Sequence, residues 1–310
     1  MIRAILETAY VGEYGIEADQ LSSLAFLLFI HADRRSKFTP FGVFSDERYH
    51  VIGGNEQIAK GLADRLPGQI QHGRELVKIA KLPDGRVELT LREGNTTRTV
   101  RHDAVVVTIP FPVLRGVTLD ATLGLPATKV RAIQELRYGT NTKTMIAVSS
   151  RPWLAQGGNG TAYSNLAYHQ VSWETDVVHA TASRGVITDY AGGLRGASLD
   201  PTRVQAQAAA FLSHLNAIIP GAAVAARRDG RGQLVAHLEA WPRNPLSKGS
   251  YTANHTGYFT TICDEEAVPV GNVVFAGEHT SSFYEWQGFM EGAALSGLRA
   301  AGEIAALLRT

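Results

Sequence analysis

Two short runs of this chain lack any alternation of polar and apolar residues. They are Ala104-Val105-Val106-Val107-Thr108-Ile109, closed by Pro110, and Val273-Val274-Phe275. Each reads as a strand that is apolar on both sides. Such a strand needs cover on both faces, which is the condition of a parallel sheet flanked by helices. An α/β fold is therefore expected, and the remaining segments have to be arranged around that requirement.

Residues 2–31 show helical spacing through Ile5, Leu6, Ala9 and Tyr10, then through Leu21, Leu24, Leu27 and Leu28, with Asp19 as the expected N-cap of the second helix. Pro40 and Gly42 mark a break. Tyr49–Ile52 reads as a short strand, followed by Gly53-Gly54-Asn55 and a helix carrying Ile58, Leu62 and Leu66, which Asn55 would cap. Strands are expected at 76–80, 86–92 and 97–101, with a turn at Pro83-Asp84-Gly85. Beyond the run at 104–109 come a helix at 127–136, a strand at 142–149 and alternating strands up to 191. A helix at 201–219 stops at Pro220-Gly221, and a strand follows at 234–240. A long helix rich in Ala and Gly occupies 287–308. The two styles interleave, so one unit is expected to comprise 45–114 and 241–310, and the other 1–44 and 115–240.

Charge narrows the function classes. Across 310 residues, 30 Lys+Arg face 29 Asp+Glu, so the net charge of +1 removes the electrostatic case for nucleic acid or an anionic membrane as main partner. The longest apolar stretch, Leu24 to Ile30, falls far short of the ~20 residues of a spanning helix. The start, MIRAILETAYVGEYG, lacks the apolar core of a secretory signal. Cys263 is the one cysteine, so it forms no internal disulfide and builds no metal site, and it suits a reducing, cytoplasmic setting. No histidine pair has metal-ligand spacing, and G-x-S-x-G is absent, so neither a metal centre nor a hydrolase nucleophile is expected.

The chemistry concentrates in Gly271-Asn-Val-Val-Phe-Ala-Gly-Glu-His-Thr280 and the helix after it. A strand ending at Gly277 puts Glu278 at the carboxyl edge of a sheet, where α/β folds bind ligands. The helix N-terminus near Gly288-Phe289-Met290 offers free N–H groups and a positive dipole end to a group that carries or develops negative charge.

The string FAGEHT followed by QGFMEGAALSGLRAA resembles the C-terminal FAD-binding motif of the flavin-containing amine oxidase family, which includes monoamine, polyamine and L-amino-acid oxidases. Four further segments resemble that family in its own order: YHVIGGNEQIAKGLADRL, DAVVVTIPFPVL, LRYGTNTKTMIAVSSRPW and WPRNPLSKGSY. Together they cover the chain from about residue 2 to residue 308. The implied fold is an FAD-binding Rossmann-like domain interleaved with a mixed-sheet substrate domain.

The resemblance also implies roles. Lys143 matches the lysine that holds a water at flavin N5, and Tyr251 and Phe289 match the paired aromatics that flank the amine. Glu278 matches the acidic residue on the ribityl or ribose part of FAD. Gly277, Thr280, Gly288, Phe289 and Met290 match positions around the cofactor, and Trp286 and Trp241 positions bordering the ring system. Leu76 and Val77 match a strand whose backbone contacts adenine. The implied reaction oxidises the C–N bond of a primary or secondary amine to an imine while O2 becomes H2O2. An L-amino-acid oxidase is the enzymatic alternative, with Arg137, Arg151 or Arg184 available for the substrate carboxylate. A non-catalytic subunit or remnant is the other.

Three departures stand out. Phe289 replaces the second tyrosine of monoamine oxidases, keeping the wall without its hydroxyl. Ser250 stands where some of them carry the cysteine bound to FAD, so the flavin is expected to be non-covalent. No G-x-G-x-x-G occurs among the 31 glycines, so a second chain or a preceding portion is expected to supply the pyrophosphate-binding unit. The runs at 104–109 and 273–275 would then expose apolar surface, making the isolated chain poorly stable or oligomeric.

Overall fold

In the computed structural model, residues 2–30, 49–175, 183–281 and 286–309 are described. The break expected at Pro40 and Gly42 lies outside them. The chain divides into two compact units, one of residues 1–21 and 137–255, the other of 22–136 and 256–310. The crossings fall at 21/22, 136/137 and 255/256, rather than at the 44/45, 114/115 and 240/241 expected from the pattern.

The first unit is built on a five-stranded antiparallel sheet. Its spatial order is Ala236–Ala240, Thr142–Val148, Gly185–Ala191, His169–Glu174 and Ala162–Leu166. Alternation in TKTMIAV decides which side each residue takes. Thr142, Thr144, Ile146 and Val148 are buried, while Lys143, Met145 and Ala147 are half-buried. On the buried side, Ile146, Val148 and Ile187 pack with Trp153 and with Phe211, Leu212 and Leu215 of the helix Val204–Ile218. The helix Ile2–Tyr14 ends on Gly15, whose φ of +69° is a left-handed stop that a side chain would strain. Asn141 Nδ2 donates to Gly12 O at 2.5 Å, and the Thr140 hydroxyl donates to Gly15 O at 2.8 Å. These bonds satisfy carbonyls that the helix end leaves unpaired.

The second unit holds a meander of Thr96–His102, Val87–Glu93 and Glu75–Lys81, with Thr118–Leu119 added parallel to the last. Its first turn closes as Pro83-Asp84-Gly85 suggests, with Gly85 at φ +86° and Asp84 Oδ1 accepting from the Arg86 N–H at 3.0 Å. The two non-alternating runs pair parallel with each other, Val105–Val107 against Val273–Phe275. Parallel and antiparallel pairing with helices gives the mixed α/β fold expected. Val274 and Ala276 pack on Ala300 of the C-terminal helix Met290–Leu307.

Several local expectations change. Tyr49–Ile52 forms no strand, and Tyr49 and Ile52 are 88% and 81% exposed. Asn55 turns back to accept from the Val51 N–H instead of capping the helix Glu56–Ala63. Asp19 lies in a turn, and the second helix starts at Ser23. The run at 104–109 is a strand only over Val105–Val107. Its exposed apolar residue is Val106, whereas Val273, Val274 and Phe275 are all buried, contrary to the exposure expected there. The helix Met290–Leu307 packs against Val274 and Ala276, which helps cover that strand.

Candidate active site

Lys143 stands on the half-buried side of the five-stranded sheet. Directly opposite it are Tyr190 on one neighbouring strand and Glu239 on the other. Its Nζ lies 5.4 Å from the Tyr190 ring centroid and 5.8 Å from that of Trp173, so two aromatic faces hold the ammonium. Trp173 meets Tyr190 edge to face at 5.2 Å. The Tyr190 and Tyr251 hydroxyls are 3.0 Å apart, and the Tyr251 hydroxyl also donates to Glu13 O. Lys143 and Tyr251, 108 positions apart in the chain, are thus joined through Tyr190. Trp173 and Tyr190 were not singled out in the sequence; the signal was their place on alternating strands, readable only once the register is known.

The approach to Tyr251 depends on close packing. A Cβ at Gly249 would lie 2.3 Å from Tyr138 Cβ, so no larger residue fits there. The Ser250 hydroxyl donates to Asn141 Oδ1 at 2.6 Å. Trp241 opens the short 3-10 turn Trp241–Arg243 and is 37% exposed. Of the three candidate arginines, Arg151 is buried in an ion pair with Glu174 at 2.8 Å, a carboxylate that Trp153 Nε1 shares at 2.9 Å. Arg137 donates to the side chain of Gln20, and Arg184 is exposed.

The second unit brings most of the remaining residues into one strand–loop–helix segment. Val273–Phe275 ends at Gly277, whose φ is +127°; a Cβ there would sit 2.6 Å from His279 Cε1. Its N–H donates to Ser296 Oγ at 2.9 Å, tying the strand end to the C-terminal helix. The Glu278 carboxylate accepts from the Gly288 N–H at 2.7 Å, and Gly288 has φ +87°. The Thr280 hydroxyl is buried; it donates to Gly277 O and accepts from Arg299 Nη2 at 3.0 Å. Trp286 meets Phe289 edge to face at 6.4 Å. Phe289 takes the N-cap position in an extended conformation, no side chain caps the helix, and Met290 begins it 54% exposed. Residues 282–285 of this segment lie outside the described residues. Leu76 and Val77 sit apart on the meander strand, with Val77 at a bulge where the register shifts.

The donor set suits a flavin dinucleotide. An acidic residue just past a strand's carboxyl end offers acceptors for sugar hydroxyls, two glycines at positive φ allow close backbone approach, and the uncapped N-terminus of an 18-residue helix offers donors for an electron-rich ring edge. Burial shifts the neighbouring titrations. The His279 pKa falls to about 3, chiefly through desolvation.

Residues 7–305 match the model of the flavin containing amine oxidoreductase family, and the chain belongs to that family. Its members are oxidoreductases that use FAD. Among curated relatives, the flavin-dependent L-tryptophan oxidase RebO of Lentzea aerocolonigenes is 29% identical over 82% of this chain and 52% of its own length. Polyamine oxidase 3 of Oryza sativa subsp. japonica is 30% identical over 79% of this chain and 46% of its own. The chain thus spans about half the length of these relatives. Among solved structures, cyclohexylamine oxidase from Brevibacterium oxydans IH-35A shares the fold with a TM-score of 0.76 at 19% identity, over all of this chain and 65% of that one. Putrescine oxidase bound to putrescine gives 0.69 at 18% identity, over 98% of this chain and 74% of that one. The comparisons lend no support to a separate second chain. No helix among the described residues is long and apolar enough to cross a membrane.

Proposed function

We propose that this chain carries the substrate-lining sheet and the flavin-holding segment of an FAD-dependent amine oxidase. The observation that carries this reading is Lys143 held against Tyr190 and Trp173, with Tyr190 leading to Tyr251. When bound, FAD accepts two electrons from the amine's α-carbon and returns them to O2, so that amine and O2 become imine and H2O2. Lys143 would orient a water beside the reacting centre and supply positive charge there. Tyr251 would present a ring face to the amine, as one of the paired aromatics whose positions Tyr251 and Phe289 match in the family. Glu278, Gly277, Gly288 and the backbone at Met290 would hold the cofactor, with Thr280 bracing the turn, Trp286 and Trp241 bordering the ring system, and Leu76 and Val77 approaching the adenine. The Ser250 hydroxyl, engaged by Asn141, supports a non-covalent flavin.

An amine suits the sheet better than an amino acid. Among the described residues, none paired along the Lys143 side is an arginine, and Glu239 stands opposite Lys143. Arg151 is committed to Glu174. Cys263 as the only cysteine supports a reducing compartment such as the cytoplasm. The test is the visible spectrum of the purified chain with added FAD, before and after anaerobic addition of an amine panel and an L-amino-acid panel. Bleaching by amines alone supports this reading. Bleaching by amino acids alone transfers it to the L-amino-acid oxidase, and binding without bleaching by either panel supports a non-catalytic role.

A further inference from the structure

Next to the flavin-holding segment lies a buried polar cluster with no part in the reading above. Glu266 is fully buried. Its Oε1 accepts from the Tyr258 hydroxyl at 2.6 Å, while its Oε2 has no hydrogen-bond partner among the described residues. Lys129, 1% exposed, donates through Nζ to the main-chain oxygens of Glu265 and Glu266 and lies 4.4 Å from the Phe275 ring centroid. The Tyr258 oxygen is also 2.9 Å from Gln287 Nε2 and 3.2 Å from Gln287 Oε1. The same Nε2 donates to His279 O at 3.2 Å. A hydrogen-bonded path therefore runs from Glu266 to Gln287, whose chain neighbour Gly288 is bonded to Glu278.

A phenol has one proton to give. When Glu266 is charged, Tyr258 must donate to it and then accepts from Gln287 Nε2. A proton on Oε2 would find no acceptor among the described residues, so a protonated Glu266 donates through Oε1 to Tyr258, which turns its own proton toward the Gln287 amide oxygen. The two ends of the amide are thus selected by the proton on Glu266. A buried carboxylate with an unbonded oxygen is costly, which favours the exchange.

We propose that Glu266 is a positioning residue that acts through Tyr258 and Gln287 on the Glu278–Gly288 contact, so that its proton uptake resets the segment's hold on its ligand. The ligand's identity as flavin rests on the function proposed above; the coupling itself does not. Burial raises the Glu266 carboxyl to about 7, against the opposing pull of Tyr258 and Lys129. Burial likewise lowers Lys129 to about 8. Burial keeps Tyr258 a neutral phenol and keeps His279 neutral. The other charged or titratable groups around the cluster are Asp264 and Glu265 beside Glu266, Cys263 near Tyr258, and Arg299 and Glu303 on the C-terminal helix. Arg299 and Glu303 pair with each other at 3.0 Å.

The first arm of the test needs no cofactor. The Gly288 amide and the Gln287 side-chain amide are followed by 15N NMR on the full chain between about pH 5.5 and about pH 8.5, in the wild type, Glu266→Gln and Tyr258→Phe. The wild-type resonances should move together with one midpoint near 7, the value given above for Glu266. In Glu266→Gln both should be flat. In Tyr258→Phe the Gly288 amide should be flat while the 13C-labelled Glu266 carboxyl still titrates well above the ordinary carboxylate range, which an unfolded chain would not do. In the second arm the dissociation constant for FAD, read from flavin fluorescence, should change about threefold or more across the same range in the wild type and stay level in Glu266→Gln. A Gly288 amide that titrates undiminished in Glu266→Gln, or stays still in the wild type, overturns the proposal. If Glu266→Gln does not fold, Tyr258→Phe decides alone: a Gly288 amide that still follows the carboxyl overturns it. Coupled amides in a chain that takes no FAD at any pH would leave the coupling standing and remove the flavin reading.

Discussion

Lys143 illustrates what a single side chain contributes here. Its ammonium lies over two aromatic rings on the half-buried side of an otherwise well-packed sheet, a setting that favours a positive charge there. Replacing it by Met keeps the bulk and removes the charge. Lys143→Met is expected to lower amine turnover by about 10²-fold with little change in folding, measured as H2O2 release and as the urea midpoint. Arg151 plays the opposite part. It is buried beside Glu174, and its removal leaves a buried carboxylate without its cation. Arg151→Ala is expected to cost about 3–5 kcal/mol in urea unfolding, whereas substitution of the exposed Val224 by Ala stays within about 0.5 kcal/mol. In the sequence Arg151 was one of three candidates for a substrate clamp. Nothing in its neighbours RPW distinguished a free guanidinium from one held by a glutamate 23 positions later.

At the scale of elements, the strands and helices with steady periodicity were legible to within a few residues. The meander at 76–101, the strand at 142–149 and the helix at 201–219 were all recognisable, because alternation or helical spacing is a local property. The short segments were not. Tyr49–Ile52 has strand-forming residues but no strand partner among the described residues, and Asn55 satisfies a backbone N–H behind it rather than one ahead. The helix Val204–Ile218 owes its place to Phe211, Leu212 and Leu215 against the sheet. Leu215→Ala should destabilise the first unit by about 2–5 kcal/mol, and calorimetry should show that loss in the transition of that unit.

For the molecule as a whole, pH acts through groups the fold has buried. Desolvation lowers His169 to about 4 and His279 to about 3. The unfolded chain takes up these protons as pH drops below about 6.5 and the folded chain does not, so stability falls from there toward pH 4. Glu266 works the other way. Raised to about 7, it binds a proton in the folded state at a pH where the unfolded carboxyl is still charged, which adds stability as pH falls through 7. Asp189, whose carboxyl burial also raises, acts in the same sense as Glu266, so the share of Glu266 is read by difference: from pH 7.5 to pH 5 the urea midpoint of Glu266→Gln should fall relative to that of the wild type. A Glu266→Gln midpoint that rises relative to the wild type toward pH 5 would contradict this assignment.

By itself, the sequence determined the family and the local framework: two doubly apolar strand runs, the strand–loop–helix segment ending the chain, and the residue types at Lys143, Tyr251, Glu278 and Phe289. Those features lie within short stretches, where spacing and composition carry the information. Only the tertiary structure decided that Tyr190 joins Lys143 to Tyr251, that Arg151 is spoken for, and that Glu266 communicates with Gln287 through Tyr258. Lys129 and Glu266 are 137 positions apart, and Lys143 meets Tyr190 only because two antiparallel strands align in one register. Contacts of that kind follow from strand register and burial, which depend on every element packing at once and have no counterpart in any local pattern.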